Sequence, residues 1–354
     1  MLGLLRFILA LMVSLSHMAI ISGITIGVIA VTIFYMISGY VMTYAFQKNF
    51  KGELGNIKSF YLDRIIRIYP LYFVLAIVTL LFLAMTNYKS LNLNFVSLLN
   101  NFTIIPLNFY MFINPIDINI VNVTGWSGWV LPPTWSLGAE LQFYILIPFL
   151  LKSRKVKFIA FFISFIIFVI ASMGVINTDY FGYRLLPGTL FIFLIGSFLC
   201  TSIQNVKSQL EGKFIKIIYV MVLLLIILVA LTSKINTSFT LEICLGLLVG
   251  IPTLKILTTI KEKNVFDNFL GSLSYPIFLG HFLSIWIVQF ILTFLPMKMD
   301  FKGQVIIELV LAVFVGYIGY KLVDLPVQNF RRRLRIETIN NKSKLANQIS
   351  LIGN

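Results

Sequence analysis

Charge is scarce in this chain of 354 residues: 28 Lys and Arg and 13 Asp and Glu make only 12% of it. Soluble domains carry roughly 25%, and a globule of this length could not cover itself with so little polar surface. Cysteine is almost absent too. Cys200 and Cys244 each lie inside an apolar run, which excludes a disulfide scaffold. Histidine occurs twice, at His17 and His281, and no Cys or acidic residue stands at metal-ligand spacing around either, so no metal site is expected. What is abundant is apolar. Hydrophobic residues make up 59% of the chain, 33 of them Phe, and the mean hydropathy is +0.95. That composition excludes disorder and specifies a polytopic, all-α transmembrane bundle.

Ten apolar runs read as spans: Gly3–Ile20, Ile24–Phe46, Ile68–Met85, Thr134–Leu151, Phe158–Val175, Leu185–Cys200, Phe214–Leu231, Phe239–Leu257, Ser274–Phe294 and Gln304–Val323. Most approach the roughly 20 residues that cross a bilayer. The net charge of +15 is then a topology signal and gives no reason to expect nucleic acid as a partner. With the N-terminus in the cytoplasm, 22 of the 28 basic residues fall in cytoplasmic segments and five outside, as the positive-inside rule requires. Both termini are therefore expected in the cytoplasm, with residues 1–330 forming one membrane domain and 331–354 a basic tail that contacts anionic membrane lipids. Residues 86–133 are interrupted by Asn100, Asn101, Pro106 and Asn108. Counting them as a span would invert every later loop, so they read as an outer segment dipping into a protein-lined cavity.

Ionisable groups inside spans are costly and mark function by default. Arg6 and His17 lie eleven residues apart in the first span. Eleven steps of about 100° bring them to one helix face, about 16 Å apart along the axis. That face should line a cavity reached from the cytoplasm. Arg64 and Arg67, three apart at the cytoplasmic border, share a face and suit a phosphate-bearing ligand. Snorkelling to lipid headgroups is the plainer reading of the same pair. Glu140 enters the membrane from outside with Ser136 and Tyr144 one turn to either side, and a buried carboxylate there needs a partner, naturally a histidine. Arg184 and the aromatic-rich Trp126–Trp135 stretch stand at the outer border. These residues leave two readings open, an enzyme or a glycolipid or polysaccharide transporter (flippase). No internal repeat supports the transporter.

Five motifs in order resemble the acyltransferase-3 family of integral membrane acyltransferases. They are the Arg6/His17 pair, Ser38-Gly39-Tyr40, Arg64-Ile-Ile-Arg67-Ile-Tyr-Pro70-Leu-Tyr72, Trp135-Ser136-Leu-Gly-Ala-Glu140-Leu-Gln-Phe143-Tyr144, and Leu273-Ser-Tyr275 leading to His281. The last span closes on Asp324-Leu-Pro326 where the family usually has Glu-x-Pro. The resemblance implies O-acyl transfer, usually acetyl, from cytoplasmic acetyl-CoA (acyl-CoA) to a hydroxyl of a surface polysaccharide or its lipid-linked sugar precursor, in the bacterial cytoplasmic (inner) membrane. It implies a donor substrate and no bound cofactor. His17, Arg6 and Glu140 are then the catalytic candidates, and Arg64, Arg67 and Tyr72 the donor-binding ones. Trp135, Ser136, Tyr144, Arg184, His281, Ser38 and Tyr40 remain as candidates for the substrate path. Nothing matches the extra hydrolase-like domain of some members, so the membrane domain itself must complete transfer.

Overall fold

The computed structural model describes residues 2–18, 23–50, 57–122, 128–204, 209–232, 238–260, 264–295 and 300–334. Each long apolar run forms a helix, because within hydrocarbon a helix satisfies every backbone N–H and C=O internally. The first three helices are α1 (Leu2–Met18), α2 (Ile26–Asn49) and α3 (Ile57–Thr86). An irregular outer segment follows with α4 (Phe95–Thr103), a 3-10 run Ile105–Phe112 and the single turn α5 (Pro115–Ile118). The rest comprises α6 (Trp135–Lys152), α7 (Arg154–Ser172), α8 (Leu186–Gln204), α9 (Gln209–Thr232), α10 (Thr240–Thr259), α11 (Val265–Leu292) and α12 (Phe301–Gly319). Among the described residues, eight helical stretches are long and apolar enough to cross a membrane, while α1 is a shorter apolar helix. No strand occurs among the described residues, only an isolated bridge between Leu91 and Val121.

The helices overrun the apolar runs at one end. α3 starts at Ile57 and α11 at Val265, each several residues before the hydrophobic stretch, because helical hydrogen bonding continues past the point where side chains turn polar. The α12 stretch passes through a π-turn at Tyr320–Asp324 and stays helical to Leu334. Arg331–Leu334, expected in the tail, thus continue the last helix. Residues 335–354 lie outside the described residues, as does Trp126.

Burial sorts the helices. In α2 and in the stretch leading through α8, 78% of the apolar window is enclosed by protein, against 33% for α7 and 22% for α12. These two helices form the centre, and glycine lets them approach. A Cβ on Gly39 would strike the Phe193 carbonyl, and one on Gly196 the Met36 carbonyl, the small-residue packing that membrane helices use where no hydrophobic force draws them together.

One end of the bundle is basic and cross-tied. Asp267 of α11 accepts hydrogen bonds from the backbone N–H groups of Gly3 (3.1 Å) and Leu4 (2.8 Å), capping the start of α1. Asp63 of α3 pairs with Arg64 and with Arg331, and Arg67 pairs with Asp324. Together these carboxylates lock α1 to α11 and α3 to the end of α12. At the opposite end, Asn108 of the irregular segment donates to the carbonyls of Trp135 (3.1 Å) and Arg184 (2.8 Å). Residues 86–122 and 128–133 form a broken, partly buried cover there, and none of their helices is long enough to span.

Candidate functional site

Three cavities run in line through the bundle and share walls. The largest, about 880 Å³, opens at the basic end, where Arg6, Tyr40, Arg67, Asp267, Arg331 and Arg332 line it. The central one is narrow, about 180 Å³, and shares Arg6, Val41 and Arg67 with the first. The third, about 260 Å³, lies at the opposite end and contains His17, Trp135 and Arg184. It shares Val31, Ser136 and Phe278 with the central cavity. We call them the basic chamber, the neck and the vestibule. The helical step between Arg6 and His17 is what puts one at the inner mouth of the neck and the other beyond it.

The neck is built on five helices: α1 contributes Arg6, α2 Ser38, α3 Arg64 and Arg67, α6 Glu140 and Tyr144, and α11 Ser274, Tyr275 and Phe278. Glu140 accepts hydrogen bonds from Ser38 and Tyr144 through one oxygen. Its partners are two hydroxyls, where the sequence reading expected an imidazole. The reason is depth. Ser136, which borders both neck and vestibule, stands one turn, about 6 Å, nearer the His17 end, so Glu140 faces the charge of Arg6 in the neck. Arg6 has no ion pair among the described residues.

The histidines find each other instead. The rings of His17 and His281 are stacked, with centroids 5.4 Å apart and planes inclined by 16°, and Phe282 packs on both. His281 is fully buried. Its Nδ1 lies 2.8 Å from the Phe278 carbonyl, a contact that requires Nδ1 to carry the hydrogen, and Nε2 has no hydrogen-bond partner. His281 backs His17 and lines none of the three cavities. Among the described residues no three His, Cys, Asp or Glu side chains gather as a metal-ligand set.

In the vestibule, Arg184 is held flat. Its Nε lies 2.9 Å from each oxygen of Asp179, and its guanidinium sits 4.7 Å from the Trp135 ring, 5.6 Å from Tyr110 and 5.7 Å from Tyr183. Trp135, Ser136 and Arg184 therefore share one chamber with His17.

The donor-binding candidates divide. Arg67 lines both basic chamber and neck, stacks over Tyr275 at 5.2 Å and is neutralised by Asp324. Arg64 is buried, reaches only the neck and is held by Asp63. Tyr72 is buried with its hydroxyl on the Asn101 carbonyl, 2.7 Å away, and lines none of the three cavities. Sequence reasoning missed Asp267, Arg331 and Arg332 as chamber walls, and Tyr35 in the neck. Asp63 beside Arg64 in the sequence was a legible hint that this arginine is already paired.

A family model described as an acyltransferase domain, that of the acyltransferase-3 family, matches residues 2–321. A protein of Aquifex aeolicus (strain VF5), described as uncharacterized, is 38% identical over 206 residues, which is 58% of this chain and 91% of that relative. No solved structure matches.

Proposed function

Because the chain belongs to the acyltransferase-3 family and is built as a membrane-spanning acyltransferase, we propose that it is an O-acetyltransferase. In this reading it moves acetyl from cytoplasmic acetyl-CoA to a hydroxyl of a surface polysaccharide or its lipid-linked precursor, in the bacterial cytoplasmic membrane. The observation that carries the proposal is the line of three cavities with cations at one end and an imidazole at the other.

The basic chamber is the size of a drug-like or cofactor pocket, and it collects four guanidiniums, those of Arg6, Arg67, Arg331 and Arg332. Nucleotide phosphates suit such a set. Arg64, tied to Asp63 and absent from this chamber, contributes through the neck wall only. The extended pantetheine arm is about as long as the helical rise of about 16 Å between Arg6 and His17, so it threads the neck and brings the thioester to the vestibule. There the acceptor hydroxyl enters against Trp135, Ser136 and Arg184. Neutral His17 takes the hydroxyl proton as the oxygen attacks the thioester carbon. The carbon–sulfur bond breaks, and the same proton passes to the departing CoA thiolate. His281 fixes the His17 ring by stacking. Arg6 and Glu140 set the charge of the neck through which the donor passes.

The test uses purified protein in liposomes, acetyl-CoA on the basic side and candidate glycans on the other. Mass spectrometry of the glycan should show added acetyl with wild type and none with His17→Ala. Full acetylation by His17→Ala would refute the mechanism, and glycan movement without CoA consumption would favour a transporter.

A further inference from the structure

Tyr35 has no part in the steps above, yet its position is unusual. The neck is lined by six hydroxyl-bearing side chains: Tyr35, Ser38, Ser136, Tyr144, Ser274 and Tyr275. Five of them donate to protein acceptors. Ser38 and Tyr144 bond Glu140, Ser136 the Pro133 carbonyl, Ser274 the Gly271 carbonyl and Tyr275 the Ile68 carbonyl. Tyr35 is only 4% exposed, and its hydroxyl is buried with no hydrogen-bond partner. A buried donor left unmade is costly and calls for a reason.

Its place in the helix supplies one. Val31, Tyr35, Ser38 and Met42 follow each other at steps of four, three and four along α2, so they form one face, and all four line the neck. Val31, one turn nearer the vestibule, borders both cavities. A helical side chain leans towards the N-terminus of its own helix, which carries the Tyr35 hydroxyl from the neck towards the His17 chamber. Tyr183, Glu140 and Arg184 all lie within electrostatic reach of it. The ring itself is fixed: it stacks on Phe193 at 4.3 Å, and Phe193 on Phe143 at 4.5 Å.

We infer that the Tyr35 hydroxyl is a further catalytic group, the donor that stabilises the oxyanion of acetyl transfer. This rests on the acyltransferase reading of the same site. As the acceptor oxygen bonds to the thioester carbon, the carbonyl π electrons move onto oxygen, and Tyr35 O–H donates to that oxyanion while His17 holds the acceptor's proton. Collapse restores the carbonyl, expels CoA sulfur with the bonding pair, and returns the proton from His17 to sulfur. Tyr35 keeps its own proton throughout. A donor held rigidly by aromatic stacking needs no reorganisation at that moment, which is the condition for such stabilisation to be large.

The experiment compares wild type, Tyr35→Phe and a protein carrying 3-fluorotyrosine at position 35, in liposomes with acetyl-CoA and an acceptor glycan that wild type acetylates. Tyr35→Phe keeps the ring stack and removes only the orphan oxygen, so its unfolding midpoint should stay level or rise. Its kcat should fall by about 10²–10³, with KM for acetyl-CoA unchanged. Fluorotyrosine, a stronger donor of the same shape, should restore kcat to the wild-type level or above it. Unchanged kcat in Tyr35→Phe overturns the inference while leaving the acyltransferase reading standing. A raised KM with unchanged kcat also overturns it, since the hydroxyl would then hold the pantetheine arm in the ground state only. A wild-type protein that consumes no acetyl-CoA with any glycan overturns both.

Discussion

The pair between Arg67 and Asp324 should be coupled in stability and separable from activity. Asp324 is 1% exposed and Arg67 18%, so the two ends of one ion pair sit in different surroundings. Removing one member of a buried pair costs about 3–5 kcal/mol, because the other charge is left behind. Arg67→Met strands a carboxylate whose remaining contact is the side-chain amide of Gln328 at 2.7 Å. It should lie inside that range, at about 3–4 kcal/mol. Asp324→Asn strands a guanidinium that still faces the basic chamber and the Tyr275 ring, and should cost less, about 2 kcal/mol. Arg67→Met/Asp324→Asn leaves no orphan charge and should cost about 1–2 kcal/mol in all. The coupling is therefore about 3–5 kcal/mol, well above the additivity error of about 0.5 kcal/mol. The chain carries its own reporter, since Cys200 and Cys244 are both free and buried. A thiol-reactive dye will label them only on unfolding, and its midpoint in detergent and denaturant measures each variant. The double variant should unfold close to wild type and yet bind acetyl-CoA weakly, because the chamber has lost Arg67. If the single losses simply add, the pair is not what fastens α3 to α12, and the reasoning fails.

Two further outcomes follow from neighbouring contacts. Asp267→Ala removes the acceptor for the Gly3 and Leu4 N–H groups and should cost about 1 kcal/mol, the usual worth of a cap. It should lower kcat more than stability, because α1 carries both Arg6 and His17; unchanged kcat in the liposome assay would count against that link. Asp179→Asn leaves Arg184 stacked on Trp135 without its carboxylate, and should raise KM for the acceptor about tenfold, equivalent to about 1.4 kcal/mol, with KM for acetyl-CoA unmoved. Initial rates at varied glycan concentration check this, and an effect on the donor instead would displace Arg184 from the acceptor side.

Whatever depended on one helix alone was legible in the sequence. The apolar runs mark the long helices, and the eleven-residue step between Arg6 and His17 sets them on one face of α1, along the line of cavities. Relations between helices were not legible. Glu140 was expected to meet a histidine, but its depth on α6 sets it against Ser38 and Tyr144, while His17 meets His281 across the α1–α11 contact. Arg67 read as a phosphate ligand because Asp324, its partner, lies more than 250 residues away, whereas Asp63, the partner of Arg64, stands next to it in the sequence. Tyr72 carries the motif but spends its hydroxyl on the cover segment. Periodicity fixes which residues share a face; the rotation and depth at which two faces meet come from packing, such as the glycine contacts of α2 with α8.

The narrowness of the neck has an electrical consequence. At about 180 Å³ the neck is the smallest of the three cavities, and fixed charges of both signs, Arg6 and Glu140, face it. A passing cation meets the guanidinium and a passing anion the carboxylate. On the proposed acyl-transfer reading, such a neck would pass a donor arm while opposing the free passage of ions, so a catalytic cycle that joins reactants from two sides of the bilayer would leave the membrane potential intact.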